Sequence, residues 1–71
     1  MTRDEWIAAF AREAGVERPD TEQIRVLLDL AGTAAHASER TAAPIACWIA
    51  GRSPLSLAEL QDAAARVSGE D

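Results

Sequence analysis

The side chains that could do chemistry crowd into one stretch, His36 to Arg52, and they are few. His36 is the only histidine, Cys47 the only cysteine, and Trp48 one of two tryptophans. A lone histidine can exchange a proton near neutral pH or meet an anionic ligand. Catalysis would also need a nucleophile beside it or a carboxylate at pairing distance, and the sequence offers neither at helical spacing. His36 therefore reads as a helix-surface residue on a polar strip running from Asp29 through Thr33 to Arg40. Glu39 and Arg40 fall just before an expected break, where their side chains could bond free backbone groups. Arg40 and Arg52 could instead flank the next helix as anion contacts. A single thiol forms no internal disulfide, no Cys/His cluster offers metal ligands, and the four glycines are isolated, so no phosphate loop is expected. No catalytic residue, metal site or cofactor is assigned, and the chain is expected not to be an enzyme.

Four helices would position these residues. Thr2 with Glu5, Asp20 with Gln23 and Ser56 with Glu59 each match a capping box, and each precedes apolar residues at helical spacing. The first helix is expected over about 3–14, closed by Gly15 with Val16 folding back on it. The second starts after Asp20 and buries a stripe of Ile24, Leu27, Leu28, Ala31, Ala34, Ala35 and Ser38, breaking near 41–43. Proline suits a first helical position, so Pro44 is expected to open a short third helix that Gly51 closes. Its run Ile45-Ala46-Cys47-Trp48-Ile49-Ala50 is apolar on every side, which predicts burial all round. Cys47 reads as a buried spacer, and Trp6 and Trp48 as core residues, with Trp48 alternatively anchoring a partner. The fourth helix is expected over about 57–67, ended by Gly69. No alternating strand pattern and no solenoid repeat interrupts this plan. The fold class is all-α, a compact bundle of three to four helices forming one domain over 1–71.

Composition narrows the partners. Seven basic against twelve acidic residues give net charge −5, and all seven basic residues are arginines spread along the chain. Nucleic acid and anionic membrane surfaces both select clustered cations, so neither is expected, although the third and fourth helices faintly suggest a helix-turn-helix. The segment 1–6 lacks the apolar run of a secretory signal, which leaves the cytoplasm as the expected compartment. Fifteen sizeable apolar side chains, Trp6 and Phe10 through Leu60 and Val67, are counted as core, a modest total for a domain of 71 residues. Burying more surface against another molecule would help, so a homo-oligomer such as a dimer, or another protein partner, is expected.

The segments DEWIAAFAREAGV and LLDLAGTAAHASERTAAPIACWIAG, with the pairs Ala35-His36, Glu39-Arg40 and Ala43-Pro44, resemble a small actinobacterial helical domain of unknown function. The resemblance spans about 4–65. That domain occurs alone or appended to molybdenum-cofactor guanylyltransferase-like nucleotidyltransferases, which implies an accessory role in molybdenum-cofactor maturation. The expectation is a non-catalytic interaction module that contacts itself or a nucleotidyltransferase-like protein through His36, Glu39, Arg40, Pro44, Trp48 and Arg52. The alternative is a binding domain for a phosphorylated pterin or nucleotide along the His36/Arg40 strip.

Overall fold

Three helices begin at the capping boxes the sequence carries. In the computed structural model, described here for residues 1–69, α1 spans Arg3–Ala14, α2 Thr21–Ala37, α3 Ala42–Arg52 and α4 Leu57–Val67. Before α1, the Glu5 amide donates to Thr2 Oγ1 at 3.1 Å and the Thr2 amide to Glu5 Oε1 at 2.7 Å. Asp20 and Gln23 repeat the exchange before α2, both bonds at 2.8 Å, and Ser56 and Glu59 before α4 at 3.2 and 2.8 Å. Each box satisfies two amides that a helix start would otherwise leave unpaired. Gly15 closes α1 with φ 78°, the left-handed geometry that lets the Val16 amide reach the Ala11 carbonyl at 3.0 Å. Val16 itself stays exposed, so its hydrophobic contact to the cap is slight.

The junction between α2 and α3 departs from expectation. The Ser38 hydroxyl donates to the Ala34 carbonyl at 2.8 Å, and α2 stops at Ala37, earlier than the predicted break at 41–43. The Ala42 and Ala43 amides then donate to the carbonyls of Glu39 and Arg40 at 2.9 and 3.2 Å, which starts α3 two residues before Pro44. Pro44 is thus the third helical residue and not the first. Its missing N–H costs nothing there, because the first four amides of a helix have no partner inside it. Nor does Gly51 end α3. The helix runs through Arg52 and stops at Ser53, whose extended backbone (φ −79°, ψ 145°) is what a residue before proline, here Pro54, is driven to adopt.

The helices form a bundle with α2 at its centre: α3 and α4 both lie along α2, whereas α1 makes no extended contact with any other helix. The Cα radius of gyration, 12.8 Å, exceeds the roughly 11 Å of a close-packed chain of this length, in keeping with α1 projecting from the body. Among the described residues, only Ala11, Val26, Leu30 and Ala50 are buried. The two buried residues of α2 are Val26, outside the predicted stripe, and Leu30, counted as core; of the stripe itself, Ile24, Leu27, Ala31, Ala34 and Ala35 are half-buried and Leu28 and Ser38 are exposed. Apolar residues occur on nearly every side of α2, so spacing alone could not choose between its sides. Nine of the fifteen side chains counted as core are exposed. Among the described residues, no helix is long and apolar enough to cross a membrane.

The caps also carry a pH dependence. Hydrogen bonds from the Ser56 backbone and side chain hold the Glu59 carboxyl below its ordinary value of 4.5. Glu22 is lowered in the same direction by its hydrogen bond and charge attraction with Arg25, at 2.6 Å. A carboxyl depressed by folding contributes stability that is present above about pH 4.5 and is lost as the pH falls through its folded value. Acidification through that window is expected to lower the thermal midpoint of the natural protein more than that of Glu59→Gln, which keeps the acceptor but cannot titrate. Parallel melts followed by circular dichroism at pH 6 down to about pH 3 check this.

Candidate functional site

Helix α3 is built inside out. Its packed side carries small residues: Ala50 is buried, and Ala43, Ala46 and Cys47 are half-buried, with the Cys47 thiol 3.9 Å from the Leu27 carbonyl of α2. Its outer side carries Ile45, Trp48 and Ile49, respectively 60%, 64% and 57% exposed. These three and Arg52 follow at i, i+3, i+4 and i+7, the spacing of a single helix face. The Arg52 guanidinium lies 4.7 Å from the centre of the Trp48 ring. A cation over the ring face is attracted by its quadrupole and restrains both side chains. The prediction of burial all round α3 is therefore overturned, as is the core assignment of Trp48. The physical reason is close approach: α3 rests on α2 through alanines and Cys47, which leaves Trp48 outward and Ile45 and Ile49 on the flank, bordering open clefts beside Ala34 of α2.

Helix α1 repeats the arrangement. Trp6 and Phe10, one turn apart, stack with ring centroids 5.0 Å apart and an interplanar angle of 26°. They are 55% and 59% exposed, whereas Ala11 of the same helix is buried, so Trp6 is not a core residue either. Two apolar helix faces thus stand open to solvent. Isolated exposed apolar residues are ordinary, but contiguous ones at helical spacing mark contact surfaces.

The remaining residues singled out from sequence separate into two places. Pro44, Trp48 and Arg52 are all exposed and follow one another by four along α3. His36, Glu39 and Arg40 belong to the end of α2 and the turn after it. His36 borders a depression with Thr33 and Ser68, and Glu39 borders a different one with Ile45. The polar strip is broken: α2 ends before Arg40, and Asp29 is bound to Arg25 at 3.2 Å. At the junction it is the backbone carbonyls of Glu39 and Arg40, not their side chains, that accept the free amides. The Glu39 carboxylate accepts instead from the Thr41 hydroxyl at 3.4 Å. Arg40 and Arg52 stand at opposite ends of α3, about 16 Å apart along an 11-residue helix, too far to hold one small anion together. No group of three or more His, Cys, Asp or Glu side chains is placed to hold a metal ion among the described residues.

Ile45, Ile49, Trp6 and Phe10 escaped the sequence reading as surface residues. A signal for α3 was present: its large apolar side chains recur at i, i+3 and i+4 while alanine and cysteine fill the opposite side.

Fold and surface together define a small four-helix domain with open apolar faces and no enclosed polar site among the described residues. The chain belongs to the family described as Domain of unknown function (DUF6457), which it matches over residues 1–69. No curated protein and no solved structure matches it.

Proposed function

We propose that this domain is a non-catalytic interaction module that docks protein partners through the outer face of α3. The observation that carries this reading is the inverted helix, with Ile45, Trp48 and Ile49 outward and alanines inward. Exposing a tryptophan and two isoleucines weakens so small a domain unless something covers them, and aromatic residues dominate contact energies between proteins. The resemblance to a domain appended to molybdenum-cofactor guanylyltransferase-like proteins supports a nucleotidyltransferase of that class as partner. It supports equally a cytoplasmic actinobacterial setting and an accessory role in molybdenum-cofactor maturation.

Light scattering on the purified chain, alone and mixed with the guanylyltransferase-like protein of its own genome, tests the proposal. The expected result is an assembly, with itself or with that protein, that Trp48→Glu weakens by at least about ten-fold while leaving helicity intact. A chain that stays monomeric and binds no such protein overturns the reading. A thermal shift with nucleotides or phosphorylated pterins, abolished by His36→Ala, would replace it with the small-ligand reading.

A further inference from the structure

Charge distinguishes the two open faces. No acidic residue occurs from Arg40 to Ala58, so α3 itself carries none in a chain of net charge −5; Arg40 and Arg52 stand at its ends, and Glu39 borders the depression beside Ile45 and Ile49. Helix α1 carries Asp4, Glu5 and Glu13 against Arg3 and Arg12. Glu13 stands three residues beyond Phe10 and seven beyond Trp6, on the same face. Arg52 holds the matching position on α3, three beyond Ile49 and seven beyond Ile45. Trp6, Phe10 and Glu13 thus repeat the spacing of Ile45, Ile49 and Arg52. Neither Glu13 nor Arg52 forms an ion pair within the protomer among the described residues.

We infer that the occupant of the α3 face is α1 of a second copy of this chain, in a two-fold dimer where each α1 covers the other copy's α3. The inference rests on the interaction-module reading and names its partner. Laid parallel, α1 and the opposing α3 bring Glu13 beside Arg52 and put Trp6 and Phe10 against Ile45, Trp48 and Ile49. A two-fold axis makes this contact twice and leaves neither face open.

Three observations favour this pairing. First, α1 is a 12-residue helix without extended packing in its own protomer, a length at which helices in water are marginal. Second, the alternatives are incomplete: α3 against α3 offers Arg52 no acid on the opposing helix, and α1 against α1 leaves Trp48 uncovered. Third, the area suffices. With aromatic side chains of about 150–250 Å², the five exposed residues offer roughly 650 Å² per protomer, near the about 800 Å² per partner of a stable complex once their flanks are added.

Charge reversal on the full chain tests it, read by sedimentation over a range of concentrations. The natural protein is expected to approach twice its 7.6 kDa mass and to dissociate on dilution. Glu13→Arg and Arg52→Glu are each expected to weaken the dimer by on the order of ten-fold, since each places like charges together at both contacts. Mixing the two single variants is expected to restore it as a heterodimer, because both contacts then join opposite charges. Both sites are exposed, and circular dichroism checks that each variant folds. Failure of the mixture to recover, or loss of assembly only for α3 variants, overturns the inference. A chain that stays monomeric yet binds the nucleotidyltransferase through Trp48 also overturns it, and leaves the module reading standing. A chain that does neither removes both.

Discussion

Leu30→Ala is expected to abolish cooperative folding. Leu30 lies at the centre of α2, the helix against which both α3 and α4 pack, and at 7% exposure it is the largest of the four buried side chains. Shortening a buried leucine to alanine removes its transfer free energy and leaves a cavity, together costing about 2–5 kcal/mol. A single core in a chain of this size rarely supplies more than about 3–5 kcal/mol in total, so the loss is comparable with the whole. Leu28→Ala, two residues earlier on the exposed side of the same helix, serves as the control and is expected to change stability by less than about 1 kcal/mol. Thermal and urea melts followed at 222 nm decide the matter. A cooperative Leu30→Ala transition close to that of the natural protein would mean that the packing of α2 on its neighbours does not hold the fold.

The contrast between Leu28 and Leu30 also marks where sequence reasoning ran out. The starts of α1, α2 and α4 were legible because a capping box is a local device: a side chain and an amide three residues apart decide it without reference to the rest of the molecule. The close of α1 was legible for the same reason, since the left-handed turn at Gly15 needs no distant partner. The side that each helix buries is a tertiary property. On α2, apolar residues occur all round, and the choice fell to the positions of α3 and α4 along it, with Leu30 bordering the cleft that both line. The α2–α3 junction was misread because proline was given the first helical position, whereas carbonyls of the preceding turn had already nucleated the helix at Ala42. The end of α3 was misread because Gly51 drew attention from Pro54, whose restriction on Ser53 is the stronger constraint.

The candidate surface was half legible. Trp48, Pro44 and Arg52 were identified as contact residues, and they share the outer side of α3. His36, Glu39 and Arg40 were expected to join them, yet all three precede α3: Glu39 borders the flank beside Ile45 and Ile49, and His36 borders a different depression with Thr33 and Ser68. Size order, and not hydropathy, held the missing information: every residue from Ile45 to Ala50 would count as apolar, but only the small ones allow two helix backbones to approach closely.

That reasoning yields the second large effect, at Ala50→Leu. Ala50 is the one buried residue of α3, 8% exposed, and it lies in the seam with α2 and α4, bordering the same cleft as Leu30 and Leu60. A leucine there presses α3 away from α2 wherever the neighbouring cleft does not take its branch, and overpacking of this kind costs about 1–3 kcal/mol. In a 71-residue domain that is expected to lower the thermal midpoint by on the order of 10 °C. The effect on assembly should be separable from the effect on folding. Moving α3 displaces the face that bears Ile45, Trp48 and Ile49, so the variant is expected to lose self-association even where it remains helical. Trp48→Ala should do the converse, keeping the midpoint of the monomer and losing the assembly, because the indole is 64% exposed and contributes little to the protomer's own packing. Melts at low concentration, where the protein is monomeric, and sedimentation at high concentration read the two quantities independently. If Trp48→Ala lowered the monomer's midpoint as far as Ala50→Leu does, the tryptophan would be part of the core and the inverted arrangement of α3 would be wrong.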